Sequence, residues 1–167
     1  MIRPARPDDL PLLREVERAA GRAFAEIGMT AIAQDEPPSL AELGRFQRAG
    51  RAWVHTDPAG APAAYLLAQL VDGCAHIEQV SVHPEHAREG RGRQLIDHLA
   101  RQARRCGVPA LTLTTFTEVP WNGPYYLRCG FRYLADHERG PGLREVCAAE
   151  AARGLTRWPR AAMRRDV

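Results

Sequence analysis

Residues Val80 to Ile96 read Val-Ser-Val-His-Pro-Glu-His-Ala-Arg-Glu-Gly-Arg-Gly-Arg-Gln-Leu-Ile, and no other stretch restricts the fold as strongly. A β-branched run stops at Pro84, a basic loop with glycines at 90 and 92 follows, and an amphipathic helix opens behind it. A strand feeding such a loop and helix builds an anion site. The glycines allow a tight turn and close approach of backbone to a ligand. The first helical turn leaves N–H groups without intrahelical partners, and the macrodipole adds partial positive charge there, so phosphate binds well. Within the loop Arg88-Glu89-Gly90-Arg91-Gly92-Arg93, the three arginines add fixed positive charge.

Other phosphate loops do not fit. A dinucleotide fingerprint needs a third glycine and a downstream acid, but Gln94 and Leu95 follow Gly92. A P-loop needs Gly-Lys-Ser/Thr, and the chain has no lysine. The plain alternative is a strand-to-helix turn whose glycines serve geometry alone.

Two segments decide between these readings. Val82-His83-Pro84 followed by Gly90-Arg91-Gly92 resembles the signature of the GNAT-type N-acetyltransferases, a strand ending Val-x-Pro and then Gln/Arg-x-x-Gly-x-Gly/Ala before a helix. Further on, Trp121-Asn122-Gly123-Pro124-Tyr125-Tyr126-Leu127-Arg128-Cys129-Gly130-Phe131 is similar to that family's later motif, Asn…Tyr-x-x-x-Gly-Phe, and follows the β-rich run Ala110 to Thr115. The N-terminus, Ile2 to Leu10, extends the resemblance over most of the chain. Two departures stand out. Ala87 occupies the Gln/Arg position, and Arg91 replaces a residue that is usually small and apolar.

The resemblance implies a single-domain α/β fold over residues 1–167, with a mixed, mostly antiparallel twisted sheet splayed at the cofactor site and flanked by helices. It implies acetyl-CoA as acyl donor and an amine as acceptor. The loop from Arg88 to Arg93 would hold the phosphates, the backbone of Val80, Ser81 and Val82 would pair with the pantetheine amides, and Asn122 would contact the pantetheine arm. Asn122 also stands where an Asn can cap a helix. Tyr126 matches the family's tyrosine, whose phenol can donate to the departing thiolate. Its neighbour Tyr125 competes for that role, with ring packing as the plainer use of either.

Acetyl transfer to an amine also needs a base, because the ammonium must lose a proton before it attacks. Along the strand Cys74 to Val82, side chains alternate, so His76, Glu78, Val80 and Val82 share one face while Ile77, Gln79 and Ser81 share the other. In the family a base is often carried on this strand. Glu78 is the first candidate and His76 the second, acting directly or through water; a structural ion pair and a satisfied core histidine are the plain alternatives.

Composition limits the remaining classes. A hydrophobic fraction of 45% and a charged fraction of 26% describe an ordinary globular chain. No apolar run approaches the ~20 residues that span a bilayer, and the N-terminus lacks a signal pattern, which points to the cytoplasm. Net charge is +3, and all 23 basic residues are arginine, a sign of codon bias rather than of nucleic-acid binding. Only Arg88/91/93 and Arg157/160/164/165 cluster, and the second group reads as a solvated tail. The cysteines at 74, 106, 129 and 147 are widely spaced and read as small buried hydrophobes, and His83 and His86 have no completing cluster, so no metal is expected.

The remaining pattern places a strand at Ile2–Ala5, then a helix capped by Asp8 or Asp9 with Leu10, Leu13, Val16 and Ala20 inward. A mixed stretch covers 21–38. A capping box at Ser39-Leu40-Ala41-Glu42 starts a helix to Ala49. A hairpin joins Trp53–His55 to Ala63–Leu70, and Asp72-Gly73 turns into Cys74–Val82. Leu95, Leu99, Ala103 and Cys106 face inward on the next helix, ended by Gly107. A strand at Ala110–Thr115, a helix at Asn122–Cys129, and strands at Phe131–Leu134 and Leu143–Ala148 complete the chain.

The acceptor region is the stretch from Phe24 to Trp53. Asp35 and Glu36 could attract a cation, or simply sit in a solvated loop, and Phe24, Met29, Trp53, Phe116 and Trp121 could form an apolar wall. No residue selects among amine classes, and a monomer and a homodimer are both open. A non-catalytic acyl-CoA-binding regulatory module is the alternative that Ala87 favours. Nucleic acid and membrane are not expected partners.

Overall fold

Along the computed structural model, which describes all residues 1–167, most local signals become the expected elements. Strand β1 is Ile2–Pro4, and helix α1 runs Leu10–Gly21 with Leu10, Leu13, Val16 and Ala19 buried. Ala19 rather than the expected Ala20 completes the inward stripe. Asp9 does not cap α1. Its carboxylate accepts from the Arg6 N–H at 2.7 Å and from the Arg3 guanidinium at 2.7 and 3.0 Å, closing the short turn ahead of the helix. Residues 21–38 form a 3-10 stretch, Arg22–Ile27, and one helical turn, α2, Thr30–Ala33.

Helix α3, Leu40–Arg48, starts where the capping box places it: the Ser39 hydroxyl accepts from the Glu42 N–H at 3.1 Å. Ser39→Ala should therefore lower stability by about 1 kcal/mol. The check is a shift of the denaturant midpoint at unchanged slope. Strands β2, Ala52–Thr56, β3, Pro62–Val71, and β4, Cys74–Val82, follow. Between β3 and β4, Asp72 and Gly73 have φ of +51° and +75°, the paired left-handed conformation of a two-residue hairpin turn.

Helix α4 spans Arg91–Arg105, strand β5 Ala110–Phe116, helix α5 Gly123–Arg128, and strand β6 only Arg132–Tyr133. Cys106 falls beyond α4 and is exposed, against expectation; Ile96 and Ala100 join Leu95, Leu99 and Ala103 inside instead. The hydrogen-bonded strand order is β1-β2-β3-β4-β5-β7-β6, with helices as flanking elements. β4 and β5 are parallel, and the ladders of β1 with β2, β2 with β3, β5 with β7 and β6 with β7 are antiparallel. The fold is thus α/β with a seven-stranded, mostly antiparallel sheet.

Two elements near the C-terminus differ from expectation. Leu143–Ala148 is not a strand but lies within helix α6, Pro141–Ala152. Pro141 opens it, and the Asp72 carboxylate accepts from the Gly142 and Leu143 N–H groups at 2.8 and 2.9 Å. A cap from a turn 70 residues away supplies what the local sequence lacks. The arginine-rich end is not a solvated tail either: β7, Arg160–Asp166, pairs with β5 along its length, with Ala162 and Met163 fully buried. Arg160 reaches Glu150 at 2.5 Å, and Thr114 donates to that carboxylate at 2.7 and 2.9 Å.

The chain divides into two compact units, with the divisions falling within β3, β4 and α4. The first comprises residues 1–69 and 78–98. In its core Leu10, Leu13 and Val16 of α1 and Leu43 of α3 pack on Val54, Tyr65 and Leu67. Each such burial stabilises by about 1.5–3 kcal/mol before entropy is counted. The second comprises residues 70–77 and 99–167, with Leu134, Leu143 and Ala162 clustered against Val71.

Candidate active site

In the first unit, the glycine loop has the geometry of an anion cradle. After Val82 the chain makes a 3-10 turn, Pro84–His86, secured by the His83 ring nitrogen accepting from the Glu85 N–H at 3.2 Å. Ala87 is extended, Arg88 and Gly90 have φ of +64° and +75°, and α4 begins at Arg91. The Gly90 carbonyl accepts the first helical bond, from Gln94 N–H at 3.0 Å. A left-handed Arg88 carries strain that glycine would not. The reversals turn the strand directly into the N-terminus of a 15-residue helix.

The three arginines divide their work. Arg88 and Arg93 are exposed. Arg91 turns back onto β2: its guanidinium donates to the Thr56 carbonyl at 2.8 Å, to His55 Nδ1 at 2.9 Å, and to Glu89 at 2.7 Å. With Nδ1 accepting, His55 Nε2–H donates to Gln94 Oε1 at 2.7 Å. Arg91 thus ties the loop to the sheet, and its hydrogen bond holds the Glu89 carboxyl below the usual carboxylate range.

Strand β4 separates the two base candidates by environment. Glu78 is exposed and accepts from the Gln69 side-chain amide. Ser81 is buried, while Val80 and Val82 are half-buried. In the second unit, His76 is 2% exposed and its Nδ1 meets the Thr112 hydroxyl at 2.9 Å. Burial lowers its pKa to about 4, against an opposing pull from the Asp72 charge, so the imidazole is neutral at ordinary pH.

Asn122 and Tyr126 belong to the second unit. Asn122 occupies the cap position of α5 and its carbonyl accepts from the Tyr126 N–H at 2.9 Å, but its side chain makes no capping bond, contrary to that expectation. Gly123 is required for packing: a Cβ there would fall 2.5 Å from the Tyr133 hydroxyl and 3.1 Å from the Phe116 carbonyl. Tyr126 is buried, with its ring edge-on to Tyr125 at 5.5 Å and to Phe131 at 5.9 Å. Tyr125 is only half-buried, so Tyr126 is the more firmly placed of the pair.

The residues expected at the acceptor site come from both units. Glu36 lies against Arg14 and Arg18 of α1 at 3.5 and 3.6 Å, tying its loop to the helix. Met29 is buried in the first unit, and Phe116 in the second packs edge-on to Trp158 at 5.9 Å beneath Arg160.

One group escaped the sequence reading. Glu17 of α1 accepts from Tyr65, Gln79 and Ser81, which come from β3 and β4. The available signal was its place four residues after buried Leu13, an acid on the inward side of an apolar stripe.

Comparison with known proteins identifies the family and the fold. The family model for the acetyltransferase (GNAT) family matches residues 13–131. Three solved structures share the fold. The ribosomal-protein-S18-alanine N-acetyltransferase from Escherichia coli is 18% identical with a TM-score of 0.69, covering 100% of this chain and 93% of its own. The PaiA N-acetyltransferase from Thermoplasma acidophilum, solved with coenzyme A, is 14% identical with a TM-score of 0.72, covering 100% and 98%. An acetyltransferase from Thermus thermophilus is 23% identical with a TM-score of 0.65, covering 100% and 96%. On the extent of the family match and the shared fold, the chain belongs to the acetyltransferase (GNAT) family, with acetyl-CoA as its acyl donor.

Proposed function

We propose that residues 1–167 form one N-acetyltransferase domain that moves the acetyl group of acetyl-CoA to a primary amine by direct attack on the thioester. The loop carries this reading: Gly90 at φ +75° delivers the chain into the exposed N-terminus of α4. Backbone N–H groups of Gly90 to Arg93 would bind the pyrophosphate, with Arg88 and Arg93 as its charge partners. Arg91 and Glu89 would hold the loop. The backbone of Val80 to Val82 would receive the pantetheine as an added strand does, and Asn122, whose side chain caps nothing, would contact the same arm.

In the proposed reaction the neutral amine nitrogen bonds to the thioester carbon, the C–S bond breaks, and the sulfur leaves with the electron pair. Glu78, with His76 as the second candidate, takes the proton that the ammonium gives up before attack. Tyr126 gives its proton to the departing thiolate, and the second proton, lost from the nitrogen once it is bonded to carbon, returns through water to the tyrosine oxygen. His76 is poorly suited, since an imidazole that titrates near 4 has little driving force as a base at neutral pH.

Arg160 and Arg164 lie against Glu150 and Asp166, which supports the reading without a nucleic-acid partner. No helix is long and apolar enough to cross a membrane; the cytoplasmic setting is part of the proposal.

Two measurements test the proposal. Thiol release from acetyl-CoA in the presence of an amine panel should be detectable with at least one amine. Release with none, alongside tight CoA binding, would favour the regulatory module that Ala87 suggests. Gly90→Val should weaken CoA binding at least tenfold, or about 1.4 kcal/mol, because a side chain opposes the left-handed φ, although the added Cβ would meet only Gln94 Nε2, at an ordinary 3.8 Å. Unchanged affinity in a folded variant removes the loop from the cofactor site.

A further inference from the structure

Glu17 is a half-buried carboxylate whose partners are all neutral. Oε2 accepts from the Ser81 hydroxyl at 2.5 Å, the Tyr65 hydroxyl at 2.9 Å and the Gln79 amide at 3.0 Å. Oε1 receives only the shared Gln79 N–H, at 3.1 Å. Tyr65 is fully buried, and burial together with the Glu17 charge raises its phenol well above its ordinary value, so it remains a donor. Gln79 is held in turn by the Ser81 hydroxyl at 2.8 Å.

A glutamate withdrawn from water normally has a cation beside it, because desolvating a negative charge is costly. Here three neutral donors immobilise the carboxylate, and one oxygen is left with acceptor capacity. A carboxylate so held is placed to face a positive charge. Its anchors, Gln79 and Ser81, flank Val80 on the strand assigned above to pantetheine. Glu78 leaves β4 by the opposite face, so the two carboxylates have different nitrogens to serve.

We infer that Glu17 Oε1 binds a second cationic nitrogen of the acceptor, one that stays charged while another nitrogen is acetylated. The acceptor class is then a diamine-like cation. This rests on the proposed N-acetyltransferase activity and names its substrate.

The test compares α,ω-diamines with n-alkyl monoamines of matched length. Wild-type protein should prefer the diamine at least tenfold in kcat/KM, through KM. Glu17→Gln should abolish that preference with kcat for the monoamine retained, and Glu17→Asp should restore part of it. Raising ionic strength should weaken the wild-type preference and leave Glu17→Gln unaffected, a response that a merely structural role does not give. Circular dichroism and CoA titration establish that each variant folds and binds cofactor. Equal use of the two amines by wild type, or a preference that survives in Glu17→Gln, overturns the inference while acetyl transfer stands. Absence of transfer to every amine overturns the activity and this inference with it.

Discussion

Tyr126→Phe should lower turnover by about 10²–10⁴-fold while acetyl-CoA affinity stays within about threefold. The substitution removes one oxygen and keeps the ring. The ring packs edge-on against Tyr125 and Phe131, and the Phe131 N–H donates to the Tyr126 carbonyl at 3.0 Å. Gly130, at φ +90°, makes the reversal that brings Phe131 back onto α5. Phenylalanine keeps these ring and backbone contacts. The developing thiolate gains from a phenol O–H that donates to it. The loss should fall on kcat and kcat/KM together, the pattern of an interaction made only in the transition state. Tyr125→Phe supplies the comparison, since that ring is half-buried and stacks under Arg128 at 5.9 Å. A fall with Tyr125→Phe and none with Tyr126→Phe reverses the assignment.

The parts of this molecule that were legible in its sequence are those encoded by short-range rules. Pro84, Gly90 and Gly92 punctuate the strand, loop and helix; Asp72-Gly73 specifies a hairpin turn; Ser39 and Glu42 mark a helix start. The failures arise from partners far along the chain. Helix α6 depends on Asp72, in another hairpin, for its N-terminal cap. Its inward residues, Leu143, Val146, Cys147 and Glu150, follow helical spacing, but the last is an acid that becomes tolerable only beside Arg160. The same pairing hides β7, because an arginine-rich segment reads as solvated until its countercharge is known. At the site, the cradle was legible because glycines and a helix start are local features. The inward turn of Arg91 was not, since its acceptors, Thr56 and His55, come from β2. Glu17 was missed for the same reason: its three donors arrive from β3 and β4.

Glu78→Gln should lower turnover by about 10²-fold or more and change acetyl-CoA affinity little, because the amide keeps the size and hydrogen-bonding reach of the side chain but cannot take the ammonium proton. His76 provides the control. Its folded pKa, about 4, lies below the ordinary 6.5, chiefly through burial, so it is neutral in the assay range. The sign of the linkage follows: the unfolded chain binds the proton more tightly, and stability that is fully present above pH 6.5 is lost as pH falls toward 4. His76→Ala should therefore flatten that acid-side loss of stability, which a melting series over pH can follow. It should reduce turnover less than Glu78→Gln does. If the two act as one relay, the double variant will match the worse single variant rather than multiply the effects. The acid limb of the rate profile should change in Glu78→Gln and persist in His76→Ala. Wild-type turnover and an unmoved acid limb in both single variants and the double variant would take the base off this strand, leaving the amine to lose its proton to solvent or to another residue.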